Sequence, residues 1–248
     1  MRVSVELIPR DAAALSAQLD DVATLARVDS INVPDQVQFE MRGWQAVVDV
    51  MRRAGARWRC VPHVRAMDLD VKRAWSALPE LRAAGVNEVL VVTGDPPADM
   101  RHKITGATAV EVIRHLKSAD PDLRVYAALD QYRSGFAAER DYMLRKLDAG
   151  ADGFFTQPFF DVRLMGVWRD LMGQTPVFWG VTSVTSERSM RYWLSRNRAV
   201  FPAGFEPTLA WHKRFAADAL RFAEDHDADV YFMPIRVGIG DWLGDLLG

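Results

Sequence analysis

One pattern constrains this chain more than any other. Short apolar runs rich in Val, Ile and Leu alternate, eight times over, with segments whose apolar residues recur at helical spacing. Strand and helix periods exchanging in this way argue a parallel sheet with crossover helices. Eight repeats in 248 residues match the roughly 250 residues of a closed (β/α)8 TIM-type barrel better than an open doubly wound sheet. The predicted strands cover residues 3–8, 28–33, 58–64, 89–92, 125–129, 153–157, 177–181 and 230–235. Predicted helices cover about 12–25 after a capping Asp11, 42–54 closed by Gly55, 136–149 closed by Gly150, 186–197 and 208–226. A third helix is expected from Asp68, with Val71, Trp75, Leu78 and Leu81 as one stripe. A fourth ends near Ser118 after a polar loop at 98–104, and a sixth near Gly173. Beyond Arg236 only a short tail is expected. No linker, repeat or low-complexity stretch interrupts the series, so residues 1–248 are expected to form a single barrel domain.

In such a barrel, ligands bind at the carboxyl ends of the strands. Alternation along the first strand gives Val3, Val5 and Leu7 one face and Ser4, Glu6 and Ile8 the other. The first set suits packing under helices, so Glu6 points into the barrel near its top. Burial there raises a carboxyl pKa and makes a proton donor available near neutrality. A structural carboxylate paired to arginine is the alternative. In the stretch VLVVTGDPP, residues 89–97, a buried strand stops abruptly at Gly94 and two prolines. Asp95 is left on the rim, where it serves either a ligand or a turn. The other exits carry His63, Gln157 and Arg236.

Several chemistries are set aside. A net charge of −2 gives no nucleic-acid footprint. No apolar run is long enough for a membrane span. The single cysteine, Cys60, lies mid-strand and suggests a reducing cytoplasm. The five histidines show no metal-ligand spacing. No predicted strand carries a lysine for a Schiff base, and there is no GxSxG elbow. Gly238 and Gly240 follow a strand but open no βαβ unit, so they read as a loop rather than a dinucleotide fingerprint.

The motifs resemble those of the methylenetetrahydrofolate reductases. SVELIPR, residues 4–10, is similar to that family's opening strand and sets Glu6 on its catalytic acid. Pro62 and His63 with Asp68 resemble its Pro-His segment, and residues 90–97 its Gly-Asp-Pro-Pro exit, with Asp95 on the pterin-contacting aspartate. KLDAGADGFFTQPFFD, residues 146–161, is the most specific match and sets Gln157 on the substrate-binding glutamine. The likeness weakens past the seventh strand. It implies a (β/α)8 barrel that reduces 5,10-methylenetetrahydrofolate to 5-methyltetrahydrofolate. Glu6 would supply the proton that opens the substrate's five-membered ring, and Asp95 and Gln157 would hold the pterin. Phe159, Phe160, Trp179 and Tyr231 are candidates for flanking flat rings, although each alone is also an ordinary core residue. Arg133, Arg188 and Arg236 are candidates for the glutamate tail or a cofactor phosphate.

The chain departs from the family where FAD is ordinarily held. Thr93 replaces an arginine, and the fifth strand ends Leu129–Asp130–Gln131–Tyr132–Arg133, where Asp130 would repel a pyrophosphate. His63 and Lys146 are retained. This resembles the short, flavin-independent branch, with hydride passing directly from NADH or NADPH. The nicotinamide cofactor would lie against His63, Thr93, Gly94, Asp130 and Trp179. The chain ends with the barrel, so no regulatory domain is expected. An FAD-containing reductase, a catalytically silent folate-binding barrel and a deazaflavin reductase are the rival readings.

Overall fold

The strand–helix alternation closes on itself in the computed structural model, which describes residues 1–96 and 104–248. The strands are β1 (Val3–Glu6), β2 (Ser30–Val33), β3 (Arg59–Arg65), β4 (Glu88–Val92), β5 (Arg124–Leu129), β6 (Gly153–Phe159), β7 (Val177–Thr182) and β8 (Asp229–Met233). They form one closed barrel in sequence order, and every neighbouring pair is parallel. The helices outside are α1 (Ala12–Ala23), α2 (Gly43–Ala54), α3 (Leu78–Ala83), α4 (Ala109–Ala119), α5 (Phe136–Asp148), α6 (Val162–Met172), α7 (Glu187–Arg196), α8 (Leu209–Asp225) and α9 (Ile239–Leu247). This is a single (β/α)8 TIM barrel.

The alternation of side chains along each strand makes two cores. Val3, Val5 and Leu7 join the large layer between strands and helices, as expected. Val61, Leu90, Tyr126, Phe155, Phe178 and Tyr231 point inward and fill the barrel itself. At the amino ends of the strands Arg2 seals this plug. Its Nη1 donates to Glu88 Oε2 at 2.8 Å, its guanidinium also donates to the Tyr126 hydroxyl, and it lies 4.7 Å from the Phe178 ring centroid. Inward polar groups at the other end therefore lie on the far side of the plug from this seal, toward the carboxyl-end mouth.

The structure differs from the sequence expectations in two elements. The third helix starts at Leu78, not near Asp68. Asp68 accepts a 2.7 Å hydrogen bond from Arg65 Nε, and a short 3₁₀ turn, Ala66–Asp68, replaces the expected cap. The tail is not a loop. It forms α9, whose Trp242, Leu243 and Leu247 are buried, with Trp242 Nε1 donating to the His212 carbonyl at 3.1 Å. The polar loop expected at 98–104 falls, apart from Ile104, outside the described residues. In addition, β6 continues past Gln157 through a register shift between Phe155 and Pro158.

Candidate active site

Glu6 ends β1 pointing inward, and the register sets Asn32 of β2 directly beside it. Asn32 Nδ2 donates to Glu6 Oε2 at 2.9 Å, while Asn32 Oδ1 accepts from Ser4 Oγ at 2.8 Å, so both ends of the amide are oriented. His63, inward on β3, brings Nε2 to 3.3 Å from Asn32 Nδ2 and 3.9 Å from Glu6 Oε2. Glu6 is 6% exposed, and no arginine or lysine pairs with it among the described residues. Desolvation pushes its carboxyl up to about 8, against a smaller opposing effect of the Asn32 bond. Desolvation likewise pushes His63 down to about 3. Near neutrality, then, this is a protonated acid beside a neutral imidazole, and not an ion pair.

Above the apolar plug, the next inward positions on four strands are Val92, Ala128, Gln157 and Met233. All four are partly accessible. They form the floor of the mouth, with Glu6 in its wall. The Gln157 side chain has no hydrogen-bond partner among the described residues, whereas its backbone carbonyl accepts from Gln131 Nε2 at 2.7 Å. Asp95 lies three residues beyond β4 and is exposed, as is Thr93. Arg65 fixes this exit. Its Nη2 donates to the Asp95 carbonyl at 2.7 Å while its Nε holds Asp68. Gly94 has φ +87°, and a Cβ there would sit 3.1 Å from Arg65 Cζ, so the turn accepts only glycine without strain. Glu6, His63, Asp95 and Gln157 thus share the carboxyl end of the barrel. The structural signals that strand parity alone did not single out are Asn32, a polar residue inside an apolar strand, and the clamp made by Arg65.

Other expected site residues are not brought to the mouth. Phe159 and Trp179 are both fully buried in the outer layer, their rings 5.5 Å apart edge to face, so neither can flank a ligand. The extra residue at the β6 register shift is what turns Phe159 outward. Phe160 belongs to an aromatic cluster with Phe201 and Phe205. Tyr231 lies within the plug, and its hydroxyl donates to the Thr156 carbonyl at 2.6 Å, so it supports β6 from below the mouth.

The β5 exit is sewn to β6. Gln131 and Tyr132 both donate to β6 carbonyls, Tyr132 Oη to Pro158 at 3.0 Å. Asp130 is partly buried, which raises its pKa, and it accepts from the Tyr132 backbone N–H at 3.1 Å. Arg133 pairs with buried Glu139 at 2.8 Å. Lys146 is 3% exposed, donates to the Ala128 carbonyl at 2.6 Å and lies 3.9 Å from the Tyr142 ring centroid.

Two cavities flank the mouth. One of about 460 Å³ opens between the β2 and β3 exits and includes His63 in its wall. Another of about 210 Å³, beyond β7 and β8, is lined by Arg188, Tyr192, Trp193 and Arg236. Arg236 has φ +57°, and neither arginine has a carboxylate partner among the described residues. A third space of about 130 Å³, behind β1, reaches Glu6 between Gln18 and Gly238.

A sequence model of the methylenetetrahydrofolate reductase family matches residues 19–214. Among curated proteins, methylenetetrahydrofolate reductase (NADH) 1 of Arabidopsis thaliana is 29% identical over 121 residues, which is 40% of this chain and 20% of that protein. The Zea mays protein of the same name gives the same identity and coverage. The matched region therefore spans about a fifth of the length of these relatives. Among solved structures, a Clostridium thermocellum protein that binds two copies of 5-methyl-5,6,7,8-tetrahydrofolic acid superposes with a TM-score of 0.63 at 8% identity, covering 97% of this chain and 90% of that one. The barrel of 2,3-dimethylmalate lyase gives 0.60 at 11% identity, covering 96% and 75%. At such identities these two likenesses concern the fold.

Proposed function

Because the chain belongs to the methylenetetrahydrofolate reductase family, we propose that it reduces 5,10-methylenetetrahydrofolate to 5-methyltetrahydrofolate with hydride taken directly from NAD(P)H. One observation carries the reading. Glu6 is a buried carboxyl held at about 8, with no cationic partner among the described residues, at the end of the barrel where ligands bind. A carboxyl in that state is mostly protonated at pH 7 and can give its proton away. Nothing in the plug demands an acid there.

The substrate's methylene carbon bridges N5 and N10. Proton transfer from Glu6 to N10 accompanies cleavage of the carbon–N10 bond and leaves an N5 iminium cation. The reduced nicotinamide, bound as co-substrate, supplies the hydride that converts this carbon to the methyl group. Glu6, now a carboxylate, recovers its proton from solvent, and Asn32 stabilises the charged form in the interval. Gln157, with a free amide, can both donate to and accept from the pterin edge. The carboxylate of Asp95 favours the iminium electrostatically. Arg188 and Arg236, without carboxylate partners among the described residues, suit the anionic glutamate tail.

FAD does not fit the residues present. Its pyrophosphate needs cations or free backbone N–H groups. At the β5 and β6 exits Lys146 is spent on a carbonyl, Arg133 on Glu139, and Asp130 adds a negative charge. The names of the plant relatives, which specify NADH, and of the folate-binding neighbour support the two ligands. The test is an anaerobic assay of protein freed of flavin, with methylenetetrahydrofolate and each nicotinamide. Turnover is expected without added FAD. Glu6→Gln should lower it by about 10²-fold or more, the scale for a lost general acid, while folate binding persists. A tightly bound yellow chromophore required for activity would overturn the direct transfer, and full activity in Glu6→Gln would overturn the acid.

A further inference from the structure

We propose that the cavity between the β2 and β3 exits is the subsite for the adenosine half of the nicotinamide co-substrate. This rests on the reading that NAD(P)H binds the barrel directly. At about 460 Å³ the cavity lies within the roughly 300–1,000 Å³ range of small-molecule sites. His63 belongs both to its wall and to the Glu6–Asn32 cluster, so a ligand with one ring at the mouth can extend into it without leaving the protein.

The lining suits a nucleoside. Trp44 and Trp75 contribute two half-buried indoles, and neither indole N–H has a partner among the described residues. Each arginine in the wall is matched by an aspartate: Arg42 by Asp35, Arg65 by Asp68, and Arg73 by Asp70. Such a wall is polar and aromatic but balanced in charge. That is what a neutral purine and ribose require, and it is the opposite of the cavity holding Arg188 and Arg236, which suits a dicarboxylate. Arg73 supplies the adaptable cation. Its side chain is 85% exposed and its contact with Asp70 is 3.5 Å, a surface pair of little strength that a pyrophosphate can displace. The same balance leaves no unpaired cation among the described residues of this wall for a 2′-phosphate, so NADH is preferred to NADPH.

ADP-ribose, which carries the adenosine and pyrophosphate without the nicotinamide, is the probe. It should compete with NADH, read by the nicotinamide fluorescence excited through tryptophan. Trp75→Ala and the cavity-filling Ala74→Trp, at an exposed lining position, should each raise the KM for NADH tenfold or more and leave the KM for methylenetetrahydrofolate within twofold. If NADH turnover is intact but ADP-ribose does not compete and Ala74→Trp binds NADH normally, the subsite is wrong and the reductase reading stands. A rise in the folate KM instead would assign the cavity to the folate and also overturn the proposal. If the flavin-free protein neither binds nor oxidises NADH, the reductase reading fails first.

Discussion

Glu6 is costly where it stands. Desolvation lifts its carboxyl from 4.5 to about 8, so at pH 7 folding takes up a proton that the unfolded chain has released. At about 1.36 kcal/mol per unit, that amounts to roughly 3 kcal/mol against folding by pH 7. Glu6→Gln removes the titration and keeps an acceptor for Asn32. The variant is expected to melt at a higher temperature than the wild type at pH 8 while losing turnover; equal or lower stability would show that Glu6 is not desolvated. In the wild type, turnover needs the protonated acid and should fall as pH rises past about 8. The Asn32 bond favours the carboxylate. Asn32→Ala therefore raises the Glu6 pKa further and should move that alkaline limb upward in a pH–rate profile, whereas a purely structural loss would lower the rate without moving the limb.

Element by element, legibility in the sequence followed how local the cause was. Alternation in β1 was enough to face Glu6 inward, because parity is a property of the strand alone. The exit of β4 was legible as a sharp turn at Gly94, but its reason lies on β3, where Arg65 reaches the Asp95 carbonyl. The outward turn of Phe159 depends on a register shift against β7 that no local pattern announces, whereas Trp179 faces outward by the ordinary alternation of β7 beside inward Phe178. The helix expected from Asp68 gave way to a side-chain bond from Arg65, and α9 was hidden by two glycines although Trp242, Leu243 and Leu247 have helical spacing. The clamp makes a test of its own. Gly94→Ala combines φ +87° with a Cβ 3.1 Å from Arg65 Cζ. It should cost about 1–2 kcal/mol of stability and, by dislodging Asp95, raise the KM for the folate. An unchanged melting temperature would mean that the turn is not held as described.

Across the whole molecule, among the described residues, three buried groups dominate how stability depends on pH between about 5 and 7.5: Glu6, His63 and His212. His63 and His212 are pushed by desolvation from 6.5 down to about 3 and about 4. Below pH 6.5 the unfolded chain binds protons that these two rings refuse, so stability falls as pH drops toward those values. Glu6 acts in the other direction. Between 4.5 and about 8 the folded state holds a proton that the unfolded chain has lost, so stability falls as pH rises. From about pH 5 to 6.5 two histidine slopes oppose one glutamate slope, and the net effect is a rise with pH. Above 6.5 the histidines fade and Glu6 lowers stability, until near pH 8 the opposite slope of buried Lys146, pushed by desolvation from 10.5 down to about 8, offsets it. The denaturant midpoint should therefore peak near pH 6.5. In Glu6→Gln the descending side should flatten into a plateau from pH 6.5 to about 7.5, with a steeper ascent below it. A midpoint that climbs steadily to pH 8 in the wild type would mean that Glu6 ionises freely in the folded barrel, and an ionised Glu6 cannot be the acid.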